Sequence, residues 1–265
     1  MSTHTGPAVF HPQAARMNLP GIRSVTADQP FRWLREGAAD LARAWPLSLF
    51  YGILFAVLGY ALVHAAEDKP HLAMALMSGF LFVAPVLATV FYCVSHRLEH
   101  HHKLPQLFTP LLSWRANPGS LGLFTVMLLF VLISWERISA ILVALFLNGS
   151  GIGGLSDLLS LDAVQQHLSF VLAYFAFGGV LALMIFSLSV VSLPMMLHRR
   201  VDFATALVTS FLATRLNFPV MLLWGVTIAV LVAIGMATNF IAMAVIFPWL
   251  GHASWHAYRA LIERE

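Results

Sequence analysis

The chain alternates long apolar runs with short polar breaks. A helix rises about 1.5 Å per residue, so about 20 consecutive apolar residues cross the hydrocarbon core of a bilayer. Runs of that order fall at 46–66, 72–94, 119–147, 168–197, 219–237 and 239–257. The pattern predicts an all-α membrane protein with six transmembrane helices, paired as three hairpins over about 46–94, 119–197 and 219–257. The break at Thr238 and Asn239 is so short that the last two helices must be antiparallel neighbours. The loop around 148–166 carries Asp157 and Asp162 and no Lys or Arg. Asn148-Gly149-Ser150 within it matches a glycosylation sequon by spacing alone and carries no weight.

Three runs open alike. Arg43-Ala44-Trp45-Pro46, Arg115-Ala116-Asn117-Pro118 and, one residue longer, Arg215-Leu216-Asn217-Phe218-Pro219 each set an Arg just ahead of a Pro. Proline is tolerated in the first turn of a helix, so Pro46, Pro118 and Pro219 mark helix starts. A second proline, Pro85, Pro194 or Pro248, lies inside each returning helix, where it frees a carbonyl and predicts a kink. Shared markers at both positions point to a threefold internal repeat, with an insertion in the middle unit. Ahead of the hairpins, Phe31, Leu34, Ala38, Leu41 and Trp45, then Leu104, Leu107, Phe108, Leu111 and Leu112, recur at helical spacing. They predict a short cytoplasmic amphipathic helix before each hairpin, lying in the headgroup plane or packed as a connector. Residues 1–30 mix Pro, Gly, Ser, Thr and Arg without an apolar stretch and predict a disordered cytoplasmic tail before a transmembrane domain over 31–262.

Composition agrees with the pattern. With 59% hydrophobic and 10% charged residues, the chain holds more apolar side chain than a soluble core of 265 residues could bury. In the predicted topology, 13 of the 15 Lys and Arg fall on one side, which makes both termini cytoplasmic by the positive-inside rule. The net charge of +3 is scattered rather than gathered into a stripe, so nucleic acid is not an expected partner. A single cysteine, Cys93, excludes an internal disulfide. There is no Gly-rich phosphate loop, no Gly-x-Ser-x-Gly and no intramembrane pair of carboxylates, so enzymatic chemistry is not expected.

Two places could carry chemistry. Glu136 and Arg137 interrupt the third run near the far interface, where ionisable residues serve either as anchors or as part of a transport path. Adjacent positions point apart on a helix, so the two are not expected to pair with each other. His252 and His256 are four residues apart, hence on one helical face, which suits a shared metal ion or the edge of a haem. Counted from the second proline of each unit, the equivalent positions are His198 and Asp202 in the middle unit and Thr89 and Cys93 in the first. If the units pack about a threefold axis, His252, His256, His198, Asp202 and Cys93 converge into a borderline-metal site. The alternative is that a His beside Trp at a helix end bonds a carbonyl or a headgroup. A further cluster, His96 with His100, His101 and His102, lies among Arg97, Glu99 and Lys103, and solvation or adventitious metal binding is expected there.

The stretches Trp33-Leu34-Arg35 to Tyr51-Gly52, Ser192-Leu193-Pro194-Met195-Met196, Met221-Leu222-Leu223-Trp224 and, above all, Phe247 to Arg259 resemble a bacterial family of predicted integral membrane proteins with a domain of unknown function. The resemblance covers about residues 30–262 and implies an inner-membrane location with no established activity. Some members are labelled putative cytochrome c oxidase proteins. A haem-copper oxidase catalytic subunit, however, resembles a twelve-helix bundle with His ligands on several helices, and this chain shows one clear His pair in one predicted helix. Where the family tends to an acidic residue, this chain has His198. The expected role is an accessory or assembly protein with the lipid bilayer and other membrane-complex subunits as partners. The alternatives are a small-solute transporter or channel using Glu136 and Arg137, and a metal or haem binder through His252 and His256.

Overall fold

The computed structural model describes residues 9–10, 19–66, 68–101, 104–147 and 161–263. The sequon, Glu67 and Asp157 lie outside them. The elements in chain order are β1 (Val9–Phe10), β2 (Ile22–Arg23), α1 (Gln29–Arg43), α2 (Trp45–His64), α3 (Pro70–Leu87), α4 (Thr89–His101) and α5 (Thr109–Leu112). They continue with α6 (Pro118–Leu147), α7 (Leu161–Gln166), α8 (Leu168–Ser189), α9 (Ser192–His198), α10 (Phe203–Leu216), α11 (Phe218–Ala237) and α12 (Met243–Leu261). Proline stands in the first turn of α2 and α11 and opens α6, where its missing N–H costs nothing. Within the expected tail, β1 and β2 pair antiparallel, Ile22 is fully buried, and the Glu263 amide donates to the Gly21 carbonyl.

Among the described residues, five stretches are long and apolar enough to span a membrane: Trp45–His64, His71–His100, Pro118–Leu147, Leu168–His198 and Phe218–Ala237. Two are broken rods. α3 gives way to α4 at Ala88, three residues past Pro85, and α8 gives way to α9 at Val190 and Val191, just ahead of Pro194. The second break is repaired from outside. Ser210 of α10 accepts from the Val191 amide at 3.1 Å and donates to the Ser187 carbonyl at 2.8 Å, so the backbone groups released at the break are re-satisfied inside the bundle. Pro248 leaves α12 helical throughout.

α12 is the segment predicted as the sixth span, and it fails the apolarity that defines the other five. The reason is its position. It packs on α1, α2, α4, α9 and α11, and thirteen of its 19 residues are buried, so polar side chains along it face protein rather than hydrocarbon. Small residues let the neighbours approach. A Cβ on Gly37 of α1 would come 2.6 Å from the Ala253 nitrogen, and one on Gly52 of α2 would come 2.0 Å from the Ala244 oxygen. Ala244 is the residue whose carbonyl Pro248 deprives of its helical partner, so α2 seats its glycine against the altered turn of α12. On the other side of α12, Phe55, Phe80 and Phe91 close edge-on around Phe247 with centroids 5.5 to 5.7 Å away.

The connecting segments differ from their expected stripes. In α1 the buried positions are Pro30, Trp33, Gly37 and Asp40, whereas Phe31 is 68% exposed and Trp45, at the start of α2, 62%. Close backbone approach at Gly37 selected the buried face, and the more apolar stripe was left outside. Across Leu104 to Leu112 only Thr109–Leu112 is α-helical, and Leu104, Leu107, Phe108, Leu111 and Leu112 are all exposed. Pro105 interrupts this segment, because the residue ahead of a proline is driven out of the helical region, and Pro110 stands in the first turn of α5. Ahead of the third hairpin, α10 is a full helix whose buried face is made of Thr205, Ala206, Thr209, Ser210, Ala213 and Thr214.

Candidate functional site

α12 carries polar side chains to three different sides of the bundle. His252 is fully buried, and both ring nitrogens are engaged: Nε2 lies 2.9 Å from the Ser48 hydroxyl of α2 and Nδ1 2.8 Å from the Ser95 hydroxyl of α4. A neutral imidazole can donate to one serine and accept from the other, which leaves no lone pair facing open space. One turn on, His256 faces α1. Its Nε2 lies 2.8 Å from the Asp40 carboxylate and its Nδ1 3.3 Å from that of Glu36. Burial alone would raise the Asp40 carboxyl. Hydrogen bonds from His256 and Ser95 and the nearby imidazole charge outweigh it and hold the carboxyl below its ordinary value. His252 thus ties α12 to α2 and α4, and His256 ties it to α1.

The third side of α12 meets α4 and α9. The Trp255 indole N–H donates to Glu99 at 3.2 Å, Arg259 donates to the same carboxylate at 2.8 and 3.2 Å, and the Tyr258 hydroxyl lies 2.9 Å from His198 Nδ1. Here three imidazoles come together. His96 and His100 of α4 have ring centroids 4.4 Å apart, and His198 closes on them at 5.1 and 6.1 Å. One ligand atom from each lies within 4.8 Å of the others, the one such group of three among the described residues.

The six positions counted from the second prolines do not share one centre. His252 and His256 keep the partners given above, and His198 turns to Tyr258, His96 and His100. Asp202 caps α10, accepting from the Thr205 amide at 2.9 Å, and the Thr205 hydroxyl and this amide hold its carboxyl below the ordinary range. Thr89 accepts from the Trp114 indole at 3.1 Å, and Cys93 lies half-buried beside Arg97. The equivalent positions do not face one axis: α12 packs on α1, α2, α4, α9 and α11, whereas α6 packs on α3 and α8.

Glu136 and Arg137 do pair with each other, at 2.6 Å, against the expectation from their adjacency. Arg137 is three-quarters exposed, while the Glu136 side chain beside it is largely covered. Beside it, Trp135 is fully buried, donates to the Ser78 hydroxyl at 2.7 Å and packs on Tyr174 at 5.0 Å. A cavity of about 320 Å³ opens between α3, α8, α11 and α12, lined by Pro85, Phe186, Gly225, Phe247 and other apolar groups, with Tyr92, Ser189 and Ser254 as its polar members.

Sequence reasoning missed Ser48, Ser95, Asp40, Glu99 and Tyr258. Asp40 had a signal, since it shares the Trp33 and Gly37 face of α1, two small or acidic positions on a stripe otherwise passed over. The rest follow from contacts between residues distant in sequence, which no local pattern carries.

Residues 73–198 match the model of a family described as Predicted integral membrane protein (DUF2189), the same family that the sequence resembles. The match runs from α3 to the last residue of α9 and leaves α12 outside it. No curated protein and no solved structure matches the chain. The protein is an integral membrane protein with several apolar helices.

Proposed function

We propose that the protein is an accessory or assembly subunit of a membrane complex in the bacterial inner membrane, without chemistry of its own. The observation that carries this reading is the use made of the interior polar groups. The His252 contacts with Ser48 and Ser95, the His256 contacts with Asp40 and Glu36, and the Glu99 contacts with Trp255 and Arg259 join α12 to its neighbours, and two cavities, of about 320 and 440 Å³, are walled mainly by apolar side chains. Groups engaged in this way brace a scaffold, and an apolar cavity suits hydrocarbon rather than a hydrated solute. The Glu136 and Arg137 pair favours an anchoring role at the interface over a transport path.

α12, at 19 residues or about 28 Å, is long enough to be a sixth crossing, packed against four of the other five. Six crossings leave both ends of the bundle on one side, and the distribution of Lys and Arg makes that side cytoplasmic. The exposed Phe31, Trp45, Leu107 and Phe108 then face the headgroups at that surface.

Native electrophoresis of gently solubilised bacterial membranes tests the assignment. The chain of 29.2 kDa is expected to migrate within a larger complex that is lost or shortened when the protein is deleted. Substrate-dependent turnover by the protein purified alone, or solute flux in proteoliposomes, overturns it.

A further inference from the structure

The imidazoles at the end of α4 and α9 have a geometry that the bracing role does not require. His96 and His100 share one face of α4, and His198 arrives from a helix about a hundred residues later in the chain. We propose that His96, His100 and His198 form a binding site for one divalent transition metal of the Zn²⁺ class, with three imidazole ligands and a fourth position open to solvent.

The donor set selects the metal. Imidazole nitrogen suits Zn²⁺, Cu²⁺, Ni²⁺ and Co²⁺, whereas Ca²⁺ and Mg²⁺ require oxygen ligands that this group lacks. Bonds of about 2.0–2.1 Å in tetrahedral geometry put ligand nitrogens about 3.4 Å apart. The present separations of up to 4.8 Å close to that with side-chain rotation, for which exposed His100 has room.

The partners already fix which nitrogens are available. His100 Nδ1 lies 3.0 Å from the His96 carbonyl, an acceptor only, so Nδ1 carries the proton and Nε2 holds the lone pair. His198 Nδ1 is engaged by the Tyr258 hydroxyl at 2.9 Å, which leaves its Nε2 for the metal. Such outer contacts are what metal-ligating histidines use to set tautomer and ring orientation. Trp255 walls one side, with centroids 5.4 Å from His96 and 5.5 Å from His198. Arg259, the nearby cation on α12, is neutralised by Glu99 at 2.8 Å. The C-terminal turn of α4 adds its carbonyl dipoles in the sense that favours a cation.

The test uses tag-free, full-length protein in detergent, stripped with a chelator and titrated with Co²⁺, then Zn²⁺. One equivalent of Co²⁺ is expected to give the visible absorption of a four-coordinate centre, and Zn²⁺ to bleach it. His100→Ala and His198→Ala each abolish that spectrum, Tyr258→Phe weakens binding about 10-fold, the lower end for an outer-shell partner, and His256→Ala leaves it unchanged. His100 is exposed, so the H100A chain keeps its helical circular dichroism and tests the site even if H198A does not fold. Absence of a saturable equivalent in the wild type, or unchanged affinity in H100A and H198A, overturns the proposal and marks any binding as adventitious.

Discussion

α11 and α12 are antiparallel neighbours of nearly equal length, joined by a turn in which Asn239 and Phe240 adopt left-handed φ of 50° and 65°. α11 buries five of its 20 residues and contains no charged side chain, whereas α12 buries thirteen of 19 and carries His252, His256 and Arg259. In water the more polar of two helices would lie outside. Here the order is inverted, because hydrocarbon penalises an unpaired polar group and protein can supply its partner. Polarity in this bundle therefore marks the centre, and uniform apolarity marks the periphery.

The sharpest way to break that contrast is to separate α12 from its sheath. Gly52→Val places a branched side chain where a single Cβ would already sit 2.0 Å from the Ala244 oxygen, so a loss of about 3 kcal/mol or more is expected, read as a lowered melting temperature in detergent. Moving polarity outward comes next. Val230→Asp, on the lipid face of α11, is expected to cost about 2.5–3.5 kcal/mol in membrane insertion, measured as the inserted fraction, while Val230→Leu inserts like the wild type. Equal insertion of V230D would show that α11 does not face lipid.

The smallest effect concerns pH. The Asp40 carboxyl titrates below its ordinary value, so its contribution to stability is complete above the unfolded-state value of about 3.9 and is lost as pH falls through the lower folded-state value. Asp40→Asn, which retains an acceptor, is expected to cost about 1 kcal/mol at neutral pH and to flatten the acid limb of the stability curve below about pH 4. An unchanged acid limb would remove Asp40 from the network that holds α1 to α12.

How far these features were legible depends on how local their cause is. The five lipid-facing spans and the prolines at helix starts follow from runs and single residues, and they stand out in the chain. The buried face of α1 does not, because its more apolar stripe through Phe31 loses to a stripe whose merit is the small Gly37, and closeness of approach is a property of the partner. The metal candidates divide in the same way. The four-residue spacings of His252 with His256 and His96 with His100 were visible, but which pair gains a third imidazole depends on where α9 ends. In the sequence His96 and His100 stand among charged residues, and the walls that flank their cluster, Trp255 and Tyr258, come from α12.

The central place of α12 has a consequence in time. A ribosome completes the five apolar spans before it makes the helix that packs against four of them. Until then, Gly37 and Gly52 line a groove without an occupant, and Ser48 and Ser95 in the spans and Asp40 in α1 lack their histidines. The nascent protein thus passes through a stage at which its apolar spans are inserted yet internally unsatisfied, open to membrane chaperones and proteases. Arrival of the last helix closes that window.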